Sequence, residues 1–188
     1  ILSNPGLVFR FNNIGYTIVA RVLEVLNKRG FEQMMADRIT RPLLMRTTNF
    51  FSYTVINPAG GAQSSAYDYM NFLSMLLNGG VFNGKRILSE AAIETMSKSM
   101  TTQGMIKETP AILEGKNYAM GQWVFATDEN GKTTTVACPG LFGTWPLIDY
   151  CRRYTFLVFT PGDASSEKKE LMVSFKAIID NQIVSSCQ

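Results

Sequence analysis

From Ile14 to Leu26 the apolar residues Ile14, Ile18, Val22, Val25 and Leu26 return at helical spacing. Asn13 stands before them as a cap and Gly30 behind them as a stop, which predicts a helix from Ile14 to about Lys28. A second helix follows from about Phe31 to Thr40, ended by Pro42. Residues 46 to 64 lose the period and contain Asn57-Pro58 and Gly60-Gly61, so they read as loop. Helical spacing returns with Tyr69, Phe72, Leu73, Leu76 and Leu77, predicted to be a buried stripe. Ser65 and Asp68 resemble a capping box at its start, and Asn78-Gly79-Gly80 stops it. Ser89 caps a fourth helix, with Glu90 near its positive end. Residues 99 to 117 are loop.

At Tyr118 the period changes to that of strands. Tyr118 to Thr127 and Lys132 to Cys138 flank Asn130-Gly131, a strong hairpin signal. Gly143 to Asp149 and Tyr154 to Thr160 form a second hairpin across a polar turn, where Asp149, Arg152 and Arg153 are expected to be solvated. Pro161-Gly162-Asp163 breaks the sheet, and a last helix from about Ser166 to Asn181 presents Leu171, Phe175, Ile178 and Ile179 on one face. Helices, then an antiparallel meander, then a covering helix make an α+β fold. Residues 1–117 are expected to be the mainly helical part. Residues 118–188 are expected to be the sheet with its C-terminal helix.

Hydrophobic residues make up 46% of the 188 positions, enough for a core without staples. The net charge of +3 comes from dispersed Lys and Arg, with no basic run of the kind that grips nucleic acid. No stretch approaches about 18 consecutive apolar residues, so no membrane span is expected. The chain has no histidine and three cysteines, Cys138, Cys151 and Cys187, without CxxC spacing. A Cys/His zinc site is excluded, and neither a metal nor a cofactor is expected. One disulfide is possible, although free thiols are the simpler reading. The missing histidine also removes the usual general base. A serine nucleophile would need a Lys or Tyr base, and Cys138 an electropositive setting.

The segment NPGLVFRFNNIGYTIVARVLEVLNKRGFEQMMADRITRPLLM resembles the serine hydrolase family of class C β-lactamases, penicillin-binding proteins and related esterases. GGAQSSAYDYMNFLSMLLNGGVFNGKRILSEAAIETM, then YAMGQWVF, then VACPGLFGTWPLID are similar to further segments of that family, in the same order. The resemblance implies a β-lactamase/transpeptidase-like fold. It also implies acyl-enzyme hydrolysis of an ester, amide or peptide bond, a small-molecule or peptide substrate in a cleft, and a periplasmic or secreted setting. The family's Tyr-x-Asn motif falls on Phe11, Asn12 and Asn13, keeping the Asn at Asn13 and losing the Tyr hydroxyl at Phe11. Its Lys-Thr-Gly or His-x-Gly motif falls on Cys138, Pro139 and Gly140, keeping the Gly and replacing the cation with a thiol.

The nucleophile motif Ser-x-x-Lys occurs only at Ser165–Lys168 and Ser166–Lys169, where the serines read as helix caps. In the family it precedes the Tyr-x-Asn motif, so the functional segment is expected upstream of Ile1. An N-terminal segment or a partner chain is then expected to complete the sheet. Taken alone, Phe11 also reads as a core aromatic, Asn13 as a cap and Cys138 as a small apolar residue. Two functional readings follow. One is a hydrolase whose nucleophile lies outside this chain. The other is a catalytically degenerate relative that binds or scaffolds.

Overall fold

The computed structural model describes residues 3–52, 55–140, 142–163 and 165–187. In chain order the elements are β1 (Phe9–Arg10), α1 (Asn13–Asn27), α2 (Phe31–Met35), β2 (Phe51–Ser52), β3 (Val55–Ile56), α3 (Ala66–Leu77), β4 (Val81–Phe82), β5 (Lys85–Arg86), α4 (Glu90–Ser97), β6 (Ile106–Glu108), β7 (Asn117–Tyr118), β8 (Trp123–Thr127), β9 (Thr133–Ala137), β10 (Thr144–Asp149), β11 (Tyr154–Phe159) and α5 (Ser166–Asp180). The fold is α+β with an antiparallel main sheet, as the change of period predicts. The chain divides into two compact units. One is Phe11–Ile87, and the other joins Ile1–Arg10 to Leu88–Gln188.

In the unit Phe11–Ile87, α2 passes directly into a π-helical turn over Ala36–Thr40. The Arg41 N–H reaches back five residues to the Ala36 carbonyl at 3.1 Å, just before Pro42, which has no N–H to offer. Leu43, Leu73, Met75 and Leu76 form the buried centre. Tyr69, Phe72 and Leu77 are only half-buried, so the inner face of α3 is rotated towards Met75 from the predicted stripe. Asp68 is also buried, and the predicted capping box is only half formed. The Ser65 hydroxyl accepts from the Asp68 N–H at 3.1 Å, as in the box. The Asp68 carboxylate turns instead to Thr47, accepting its N–H at 2.7 Å and its hydroxyl at 2.8 Å, and to the Thr48 hydroxyl at 3.0 Å. Burial opposes ionisation here, but these hydrogen bonds outweigh it and hold the carboxyl below its ordinary value.

Helix α1 has the predicted period but not the predicted burial. Only Ala20 is buried. Ile14, Ile18, Val22, Val25 and Leu26 are all exposed, Leu26 at 73%. The stripe is therefore a surface, not a core face, in this chain.

The other unit is built on a five-stranded antiparallel sheet in the order β11-β10-β9-β8-β7. The Asn130-Gly131 hairpin forms as predicted. The Asp128 carboxylate accepts the N–H groups of Asn130 and Lys132, and Gly131 takes φ +78°. The second hairpin pairs Thr144 with Phe159 and Asp149 with Tyr154. Phe9 in β1 pairs in parallel with Ile106 in β6 and sets its ring 4.9 Å from that of Tyr118. Short segments at 106–108 and 111–113 thus structure part of the predicted loop.

Ala137, Trp145, Leu147 and Met172 form the sheet-to-helix core. The buried residue of α5 is Met172, whereas the predicted face keeps Leu171, Phe175 and Ile178 exposed. The helix has apolar residues on two sides, and periodicity alone cannot tell which side meets the sheet.

The turn after β10 is not the solvated one expected. Asp149 is 1% exposed and accepts the Lys176 ammonium at 2.8 Å and the Arg152 N–H at 2.8 Å. Lys176 also reaches Asp180 at 2.6 Å, and the Tyr154 hydroxyl donates to Asp180 at 2.8 Å. Burial raises the Asp149 carboxyl, but these donors and the charges of Lys176 and Arg152 outweigh it and hold the carboxyl below its ordinary value. The idle-thiol reading also fails in part, because Cys151 and Cys187 form a disulfide and pin the C-terminal segment beside the network. A depressed folded-state carboxyl stabilises above its unfolded value, and that stability is lost as pH falls through the lower folded value. Denaturant unfolding followed from pH 7 to pH 2 should show this acid loss. Lys176→Met should cost about 3 kcal/mol at pH 7 and flatten the pH dependence.

Candidate functional site

The two motif-equivalent pairs fall in different units, each with its own local geometry. At the start of α1 the cap is Asn12, not Asn13. The Asn12 carboxamide oxygen accepts the N–H groups of Ile14 at 2.9 Å and Gly15 at 3.2 Å. The expectation that Asn13 caps is thus displaced by one residue, and its side chain is released. Asn13 is exposed, and its side-chain amide makes no hydrogen bond among the described residues. Phe11 is half-buried just before it.

Next to Asn13 in the same unit is the Asn57–Gly61 turn. The Asn57 carboxamide oxygen accepts the N–H groups of Ala59 at 3.2 Å and Gly60 at 3.1 Å. A methyl group on Gly60 would lie 3.8 Å from the amide nitrogens of both Asn13 and Asn57. On Gly61 it would strike the carbonyl oxygens of Asn57 at 2.7 Å and Phe50 at 2.8 Å, so that glycine is demanded by packing. The structure therefore assembles Asn13, Asn57 and Gly60 into one polar surface. Sequence reasoning took Asn57 only as a loop former.

In the other unit, Cys138 directly follows β9, and its N–H bonds the Pro146 carbonyl at 3.3 Å. Pro139 has no N–H, and that of Gly140 is taken by the Thr144 carbonyl at 2.8 Å. Gly140 has ordinary space around it, since a methyl group there would meet Thr144 Cβ at 3.5 Å. Gly143 does not. It has φ +88°, and a methyl group would fall 2.0 Å from the Thr160 carbonyl oxygen. The fold thus needs the glycine at 143 and leaves the one at 140 unexplained by packing within its unit.

Cys138 is the free cysteine among the described residues and is exposed at the surface. Water at that surface tempers any shift, yet crowding of the sulfur by protein pushes the thiol up, to about 11, and no cation among the described residues opposes it. Of the two Ser-x-x-Lys matches, Ser165 is the cap of α5 and Ser166 is its first helical residue. The Ser165 hydroxyl accepts the Lys168 N–H at 3.3 Å, and the Lys168 ammonium is held by the carbonyls of Pro161 at 2.7 Å and Gly162 at 2.9 Å. That lysine is turned away from base work on its serine. No cluster of potential metal ligands and no helix long and apolar enough to cross a membrane occurs among the described residues.

Two outcomes follow. Gly143→Ala should lower stability by about 3 kcal/mol or more in urea unfolding, whereas Gly140→Ala should stay within about 1 kcal/mol of the parent. Alkylation of Cys138 by iodoacetamide should accelerate only in alkaline solution, with no inflection near neutral pH.

Comparison with known proteins fits this arrangement. The family model Beta-lactamase matches residues 1–176. Among solved structures, a protein of Bacteroides dorei DSM 17855 described as a β-lactamase superposes with a TM-score of 0.81 at 22% identity, over 95% of this chain and 60% of its own. Simvastatin synthase from Aspergillus terreus gives 0.77 at 16%, over 97% and 57%. A Bacillus anthracis protein described as a 6-aminohexanoate-dimer hydrolase gives 0.73 at 21%, over 95% and 45%. The chain therefore spans about 60% of the length of the first of these structures. No curated protein gives a significant match. The ordered motif segments, the helical unit, the antiparallel unit and a family model running almost the length of the chain agree: the chain belongs to the Beta-lactamase family, whose members are hydrolases.

Proposed function

We propose that the protein works as a β-lactamase-like serine hydrolase, opening an ester, amide or peptide bond through an acyl-enzyme. Its nucleophile comes from a Ser-x-x-Lys segment outside these 188 residues. The observation that carries this reading is the family match over residues 1–176. Two local features support it. Asn13 keeps an exposed amide with no structural duty, suited to orienting a substrate carbonyl or amide. Gly140 keeps a backbone without a side chain where packing within its unit does not require one, which suits close approach by a substrate.

The same reading gives the uncovered apolar surfaces a purpose. Helix α1 exposes its stripe, α5 exposes Leu171, Phe175 and Ile178, and β11 lies at the edge of its sheet. Edges and apolar faces of this kind are normally paired or covered. In this proposal the polypeptide that brings the nucleophile, as an N-terminal segment or a partner chain, covers them.

A second reading has its own observations. Phe11 offers no hydroxyl, and Cys138 has no cation among the described residues to activate it. A relative that kept the fold but lost catalysis would carry such a pair of replacements. Labelling by a fluorophosphonate or penicillin probe, in the full-length protein with its upstream segment, separates the two. The hydrolase reading expects covalent label on the upstream serine, and Gly140→Ala should slow labelling at least about tenfold without unfolding the protein. No label on the parent, with esterase activity appearing in the Phe11→Tyr/Cys138→His double variant, establishes the degenerate reading instead.

A further inference from the structure

A cavity of about 580 Å³ lies within the sheet-bearing unit, bounded by the C-terminal end of α4, the β8–β9 turn and Tyr150. It sits at the opposite end of β9 from the motif positions. Thr133 lines it, and Cys138 is five residues further on, about 17 Å along the strand. The volume is of the size that holds a small organic molecule, roughly 300–1,000 Å³.

Its lining combines an apolar wall with polar groups that lack partners. Ile93 is buried at the base of α4 and, with the Tyr150 ring, supplies the apolar part. Lys98 and Lys132 both line the cavity, and neither makes an ion pair among the described residues. Glu94 is the one acid among the lining residues, against the two lysines. Thr133 is 8% exposed, and its buried hydroxyl has no hydrogen-bond partner among the described residues. That hydroxyl is closed off from the cavity itself, so the guest's polar contacts fall to the lysines and to Tyr150.

The Tyr150 hydroxyl adds a donor. It lies 3.1 Å from the Ser97 hydroxyl, and Gln122 donates its side-chain N–H to that serine oxygen at 3.4 Å. Either hydroxyl can donate in that pair; when Ser97 donates to the Tyr150 oxygen, the phenol proton is left for a guest. Burial raises the phenol above its ordinary value, so it remains a donor across the physiological range.

We propose that this cavity binds a small organic carboxylate, its apolar body against Ile93 and the Tyr150 ring and its anionic end on Lys98, Lys132 and the Tyr150 hydroxyl. The site is independent of the hydrolase reading and survives its failure. The test titrates 3-phenylpropionate, and separately its neutral amide, into the 15N-labelled full-length protein, followed by amide chemical shifts. Saturable shifts centred on residues 93–99, 130–133 and 150 are expected. Affinity should fall about tenfold both for the amide and in the Lys98→Gln/Lys132→Gln double variant. These surface lysines hold no other described side chain, so the variant should fold. Absence of saturable shifts in those segments, equal binding of acid and amide, or unchanged affinity in the double variant would each overturn the proposal.

Discussion

Strand β9 is hydrogen-bonded on both sides, to β8 and to β10, and the rest of the sheet-bearing unit is ordered by that pairing. A strand held on both edges cannot slip by one residue without turning its buried side chains to the wrong face. Val136 and Ala137 are both buried, so both faces resist the slip. The consequence is that the two ends of β9 are fixed points. At one end the chain passes through Cys138 and Gly140 into a turn locked by Gly143 against Thr160. At the other it turns through Gly131 and presents Lys132 and Thr133 beside α4. The motif segment and the cavity are thus held by one rigid strand.

Each unit also contains a carboxylate that fastens elements hydrophobic burial alone would leave loose. Asp68 ties Thr47 and Thr48 to the start of α3, and Asp149 ties the end of β10 to Lys176 on α5. Both are buried, and both are ionised because donors surround them, not because water reaches them. Such sites place backbone segments with directional bonds, which packing of Leu and Met cannot do.

Much of this was legible in the sequence, and the failures have physical causes. The hairpins, the α3 boundaries and the cap at Ser65 rest on local chemistry, turn residues and capping groups, and local chemistry is what a sequence displays. The cap of α1 was misplaced by one residue because Asn12 and Asn13 offer the same group, and only backbone geometry selects between them. The buried face of α5 was missed because a helix with two apolar sides does not say which one meets the sheet. Asp149 read as solvated because its partner Lys176 is 27 residues away, and the Cys151–Cys187 bond spans 36. At the candidate site, Phe11, Asn13, Cys138 and Gly140 were found through resemblance. The steric demand at Gly143 comes from Thr160, 17 residues on, and no local pattern announces it.

The disulfide has a geometric consequence for handling the protein. Cys187 is fastened to Cys151, just past the end of β10 remote from Gly143. The six residues of that strand extend about 20 Å. Residue 187 is therefore fastened at the far end of β10, about one strand length from the end that adjoins Gly143. A purification tag, a fused reporter or a bead attached there leaves the Gly140 turn open to whatever approaches it, for as long as the bond stays oxidised.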